Sequence, residues 1–292
     1  GALPMGELGK NTRDHRILVF GWGAAAEAVL REIVACKGGR SVQVRCISHC
    51  SQAADCDLRH VCTSLNVECM LLDDDPEVYL AAKSFEPDLI ISASYRKKLQ
   101  PCVLELTSDC INFHPSLLPK HRGCWSGFWT IFEGDVETGV TCHRMVECFD
   151  MGRVLHQERL VVSPDDTSFS IYRKILPVTS ACARHILGLY LSSGLPEGEE
   201  QTGPASYHYR RLPFDGLILP EWSDDRVERF IRAMHFPPFE GAAACFGGER
   251  VLVESLDHYR RLRGAAMTAV TSSTMLSGLN PVQTAVAAPG EV

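Results

Sequence analysis

The sequence predicts an α/β fold: a Rossmann-like, mostly parallel sheet with helices on both faces, plus a short C-terminal extension. Three observations carry this. Short apolar runs alternate with helical-period segments from Arg16 to Leu191, which is the pattern of βαβ units. The first run, Arg16 to Phe20, enters a glycine-containing turn and then a helical stretch, Glu27 to Ala35. A polar triplet, Asn112, His114 and Ser116, falls at alternate positions at the end of a later run. That spacing puts all three on one face of a strand end, and the carboxyl ends of strands are where open α/β sheets bind ligands.

Composition bounds the class. The 292 residues are 45% hydrophobic and 22% charged, enough for one large domain, or one domain and a small second one. The net charge of -7 speaks against a general nucleic-acid binder. Thirteen cysteines are scattered rather than framed, no leader-like apolar segment opens the sequence, and no apolar run is long enough to span a membrane. A reducing cytoplasmic setting with free thiols is therefore expected.

The elements follow in order. Gly21 to Ala26 makes a tight βα turn of the G-x-G-x-x-[GA] kind. The acidic residue that would support nicotinamide binding after the next strand, Val42 to Ile47, is missing, because Ser48 and His49 stand there. Cys46, His49, Cys50, Cys56, His60 and Cys62 cluster in sequence. They lack paired C-x-x-C spacing, and a helix over 53–63 would scatter them, so idle thiols are expected rather than zinc. Val67 to Leu72 reads as a third strand. Asp73-Asp74-Asp75 with Pro76 reads as a helix start, where carboxylates favour the positive end of the helix dipole. Asp88 to Ser92 is a fourth, buried strand, followed by a short helix from Pro101 to Leu106; Cys110 to His114 is the fifth.

Pro115 and Pro119 restrict the backbone after the triplet to a stiff, non-helical loop. A helix is expected over 125–132, strands over 139–145 and 154–162, and a long helix from Ser168 to Leu191 capped by Asp166 or Thr167. Ser193 to Pro204 reads as linker, and Ser223 as the cap of a helix over 224–235. The organisation expected is a tail over 1–15, a catalytic domain over 16–194, a linker and small subdomain over 195–262, and a poorly ordered Ala/Ser/Thr-rich tail over 263–292.

The motif N-x-H-P-S-L-L-P (Asn112 to Pro119), then Gly139-Val140-Thr141-Cys142-His143, then Asp150-Met151-Gly152 resembles the 10-formyltetrahydrofolate-dependent formyltransferases. That superfamily includes the methionyl-tRNA, phosphoribosylglycinamide and sugar-nucleotide enzymes. The resemblance covers roughly residues 16–241. The R-R-x-P-x-D-G and R-A-x-x-x-P-P-F-x-G-A stretches near its end are similar to the core-to-C-terminal junction of the tRNA and sugar enzymes, and are absent from the purine-pathway enzyme.

The resemblance implies transfer of a formyl group from 10-formyltetrahydrofolate to a primary amine, with tetrahydrofolate as product and no metal. It implies Asn112, His114 and Asp150 as the catalytic set. Acyl transfer of this kind needs an oxyanion donor, a proton handler and an orienting charge. Asn112 offers an amide N–H and Asp150 a charge, while His114 either takes the amine's proton or stabilises the oxyanion as imidazolium. Cosubstrate contacts are implied at Tyr95, Lys97, Lys98 and Leu99, at Ser116, Leu117, Leu118 and Pro119, and at Val146, Glu147, Cys148 and Phe149. Substrate contacts are expected from Ser94, Arg96, Lys120, Arg122, Cys124 and Trp125; His143 receives no role. The expected partner is an amino sugar on a nucleotide, with methionyl-tRNA or an amine of a specialised pathway as alternatives. The reading involves no membrane and is compatible with a homodimer.

Overall fold

The computed structural model describes residues 14–276. Most of the expected N-terminal tail and the last part of the expected C-terminal tail, 277–292, lie outside them. In chain order the first half contains β1 (His15–Gly21), α1 (Gly23–Cys36), β2 (Val42–Ser48), α2 (Leu58–Leu65), β3 (Glu68–Leu71), α3 (Asp75–Phe85), β4 (Leu89–Ala93), α4 (Pro101–Leu104) and β5 (Cys110–His114). The second half contains β6 (Arg122–Gly123), α5 (Ser126–Phe132), β7 (Glu137–Arg144), β8 (Val154–Val161), α6 (Ser168–Ser193), β9 (Tyr207–His208), α7 (Asp224–Met234), β10 (Ala243–Phe246), β11 (Glu249–Leu252) and α8 (Leu256–Leu276).

Seven strands form one sheet in the order β3-β2-β1-β4-β5-β7-β8. The first five run parallel, and β7 and β8 add an antiparallel edge. β1 and β4 are apolar without alternation because both their faces are covered. On one face Ile17, Val19 and Ile91 pack with α1, α2 and α6; on the other Leu18, Phe20 and Ile90 pack with α3 and α4. The order reverses direction between β1 and β4, and the ends of β4 and β5 open onto the site. Among the described residues no helix is long and apolar enough to cross a membrane.

Several expectations are corrected in detail. α1 begins at Gly23, straight after Trp22, so the βα turn is shorter than its glycines implied. The Asp run divides its work. Asp74 caps α3 by accepting from Glu77 N at 3.1 Å, whereas Asp73 accepts from the His49 ring at 2.9 Å. α6 starts in a capping box between Thr167 and Ser170. Asp166 braces that box from outside through Ser163 N, Ser170 Oγ and Lys174. The stretch read as linker is tied to β8, where Glu199 and Val154 exchange both backbone hydrogen bonds.

The residues from 263 on, expected as a poorly ordered tail, continue α8 to Leu276. Ala, Met and Leu are strong helix formers. The helix is anchored at its start by buried Tyr259 and is mostly exposed over 263–273, so it needs no apolar period there. Tyr259 belongs to a second core formed by α5, α7, β10 and Ile218, with Phe128, Phe132 and Phe230 at its centre. Phe230 is fully buried and contacts four other aromatic rings, those of Phe128, Phe132, Phe214 and Trp222. Phe230→Ala is expected to cost about 3–5 kcal/mol in denaturant unfolding.

Candidate active site

A cleft of about 470 Å³ opens where β4, β5 and β7 end, within the usual size of small-molecule sites. Asn112 and His114 reach it from β5, and Asp150 from the loop after β7. Antiparallel register sets Asn112 opposite His143. Asp150 takes a left-handed backbone conformation, φ 54°. Gly152 then runs so close to β7 that a β-carbon there would sit 1.7 Å from the Arg144 carbonyl oxygen. The D-x-G spacing is thus a steric requirement that delivers Asp150 into the cleft.

The hydrogen bonds assign the protons. His114 Nε2 lies 2.7 Å from the His121 carbonyl oxygen, an acceptor, so Nε2 carries hydrogen and Nδ1 holds the lone pair of the neutral ring. Nδ1 faces Asp150 Oδ2 at 3.5 Å. His143 Nδ1 donates to the Arg144 carbonyl at 2.9 Å. Its Nε2 therefore accepts from Asn112 Nδ2 at 3.2 Å in the neutral ring, and donates to Asp150 Oδ1, 3.3 Å away, only in the charged one. His143, given no role from sequence, orients two members of the expected triplet. Its alternation with Thr141 on a strand was the available signal.

Burial opposes a charge on Asp150, which is 8% exposed. The facing His114 ring, His143 and a 2.8 Å bond from Gly123 N outweigh that cost and hold its pKa at about 2. Burial pushes the His114 imidazole below its usual value, against the opposing pull of Asp150 and the His121 carbonyl. The ring is therefore neutral at neutral pH.

Gly123 lies in β6, which pairs in parallel with β9. It has φ 85°, and a β-carbon would lie 2.2 Å from the His208 carbonyl oxygen. This pairing carries Tyr207, His208, Tyr209 and Arg210 onto the rim of the cleft. Sequence reading did not name these four as site residues, although the density of rings and basic groups in Y-H-Y-R-R was a signal.

The other expected residues divide. Ser94, Tyr95, Arg96, Lys97, Lys98 and Leu99 line one wall, Val146, Glu147, Cys148 and Phe149 another, and Cys124 and Trp125 the rim. Tyr95 stacks on His49 at 4.3 Å, and Arg96 lies 4.6 Å from the Trp22 ring. Lys97 donates to the Asp73 carbonyl, and the Lys98 ammonium lies 5.7 Å from the Phe149 ring.

Ser116, Leu117, Leu118 and Pro119 do not line the cleft. Ser116 Oγ donates to the Lys120 carbonyl, and Thr141 Oγ1 ties the loop inward through Ser116 O and Leu118 N. Lys120 pairs with Asp135 at 2.9 Å. Arg122 donates to Gln201, whose amide donates in turn to the Asp150 and Gly152 carbonyls. Arg122 thus supports the site from behind rather than facing a ligand.

The sequence profile of the family described as formyl transferase matches residues 16–183. Proteins named GDP-perosamine N-formyltransferase from Brucella melitensis and Brucella abortus are each 37% identical over 249 residues, covering 85% of this chain and 95% of theirs. An N-formyltransferase from Helicobacter canadensis, solved with folinic acid and dTDP-3-aminofucose, superposes with a TM-score of 0.66 at 17% identity. That match covers 80% of this chain and 85% of the other.

Asp150 has a depressed pKa, so its contribution to stability is present above the unfolded carboxyl value near 4 and is lost as pH falls through about 2. Wild-type protein is expected to lose about 2 kcal/mol more between pH 4 and pH 2 than Asp150→Asn, measured by denaturant unfolding at each pH. Gly123→Ala meets both a positive φ and a backbone clash. A loss of roughly 1–3 kcal/mol or more is expected, together with loss of activity, read by thermal unfolding and turnover.

Proposed function

The chain belongs to the formyl transferase family, and from that premise we propose that it moves the formyl group of 10-formyltetrahydrofolate onto a primary amine of a nucleotide-linked sugar. The observation that carries this reading is the convergence of Asn112, His114 and Asp150 on one cleft, with their protons assigned by neighbours. These groups supply the roles acyl transfer needs.

The cleft suits a folate. Leu99, Leu104, Phe113, Val146 and Phe149 give an apolar wall, and Lys97 and Lys98 offer cations for the carboxylates of its glutamate tail. When bound, the cosubstrate supplies the formyl carbon. Asn112 uses one amide hydrogen on His143 and directs the other to the formyl oxygen as charge develops there. His114, neutral and with its lone pair on Nδ1, takes the amine's proton. Asp150 then faces a charged imidazolium, the 3.5 Å separation shortens into an ion pair, and the ring returns the proton to N10 as the formyl C–N10 bond breaks and tetrahydrofolate leaves. This supports His114 as base rather than as imidazolium donor.

Arg96, Lys97, Lys98 and Arg210 make the mouth basic in a chain of net charge -7, and Trp125, Tyr207 and Tyr209 add exposed rings. A diphosphate with an attached base and sugar fits that combination. The Brucella relatives favour a GDP-linked sugar. The acidic total disfavours methionyl-tRNA.

The test supplies 10-formyltetrahydrofolate with GDP-perosamine, a dTDP-linked amino sugar or methionyl-tRNA, and follows tetrahydrofolate release. Turnover is expected with GDP-perosamine; turnover confined to methionyl-tRNA would refute the sugar reading. His114→Ala and Asp150→Ala are each expected to lower kcat/KM by roughly 10²–10⁴-fold while the protein stays folded. Because His114 is depressed, the neutral base persists below pH 6.5, and the acid limb of kcat/KM is expected below that value. A limb above pH 6.5 that is not the titration of the substrate amine itself would remove His114 as the base.

A further inference from the structure

Away from the cleft, the structure gathers three thiols that the sequence had scattered. Parallel register sets Cys46 of β2 directly beside Cys69 of β3. Cys62 comes from α2, the crossover helix between those strands, and the three sulfurs all lie within 4.8 Å of one another. Cys46 and Cys62 are fully buried, and Cys69 is half-buried. Among the described residues this is the one such convergence of three or more His, Cys, Asp or Glu ligand atoms. The backbone is fixed at all three points. Strand pairing holds Cys46 and Cys69, and the α2 C-cap at Asn66, φ 54°, donates to the Cys62 carbonyl, as does Val67 N at 2.8 Å.

We propose that Cys46, Cys62 and Cys69 form a binding site for one divalent d¹⁰ ion of the zinc type, with solvent as its fourth ligand. Three sulfurs at about 2.3 Å from a tetrahedral ion stand roughly 3.8 Å apart, so the separations close by about 1 Å at most. Sulfur donors without oxygen select thiophilic ions over calcium or magnesium. The half-buried side at Cys69 leaves the fourth position to water. On binding, Zn²⁺ takes all three sulfurs as thiolates, and the protons those thiols hold pass to solvent. The ion would clip β2, α2 and β3 together. That unit also carries His49 and Asp73, the pair behind Tyr95 and Arg96.

The test is a Cd²⁺ titration of the full chain with the exposed thiols removed (Cys50→Ser, Cys102→Ser, Cys148→Ser, Cys245→Ser). One equivalent is expected to raise a thiolate-to-metal ultraviolet band, and Zn²⁺ to abolish it by displacement. No band at one equivalent overturns the proposal without any change to the three cysteines. Adding Cys69→Ser is expected to weaken Cd²⁺ binding at least about 10-fold, in line with the loss of a ligand. A band that survives at full strength places the ion elsewhere and also overturns it.

Discussion

A buried carboxylate organises this site. Asp150 has left water almost completely, and burying a charge is costly unless it is paired and hydrogen-bonded. The surrounding chain meets that charge from separate places: Gly123 N of β6 donates to it directly, and the His114 ring of β5 and the His143 ring of β7 face it and pair with it on protonation. Gln201 holds the backbone carbonyl of the same residue. One charge thus ties two sheet strands, the β6–β9 pairing and the 193–204 segment into a single wall.

The same arrangement divides the titration behaviour of its members. Asp150 is kept ionised, and His114 is kept neutral. Such a pair accepts a proton on the imidazole only as the facing carboxylate rewards it, which is how one site holds a base ready at neutral pH. His143 adds a second control, since its fixed Nδ1 hydrogen determines what Nε2 offers Asn112 and Asp150.

Charge is distributed by location rather than by total. The chain is acidic overall, yet the rim is built from Arg96, Lys97, Lys98 and Arg210. Arg210 reaches that rim by donating to the Arg96 carbonyl, while the Trp125 indole donates to the Arg210 carbonyl. These long-range bonds join the segment after β4, the start of α5 and the segment after β9, so the packing of α5 on α7 supports the rim as well as its own stability.

The α/β class, the strands and helices of the sheet, and the places of Asn112, His114 and Asp150 at a strand end and a turn are legible in the amino-acid pattern alone. Each is a local property: buried strands are continuously apolar, capping residues precede their helices, and Asp-x-Gly marks a turn. Which groups face one another is set by long-range packing. Ser116 to Pro119 turned inward because Thr141, set by β5–β7 register, satisfies their buried backbone. Arg122 was taken by Gln201, and Tyr207 to Arg210 were brought to the rim by pairing across more than eighty residues. Cys69 joined Cys46 through register, which periodicity cannot reveal. Local patterns depend on neighbours in the chain, whereas register and loop direction depend on which distant group meets a buried polar atom's need for a partner.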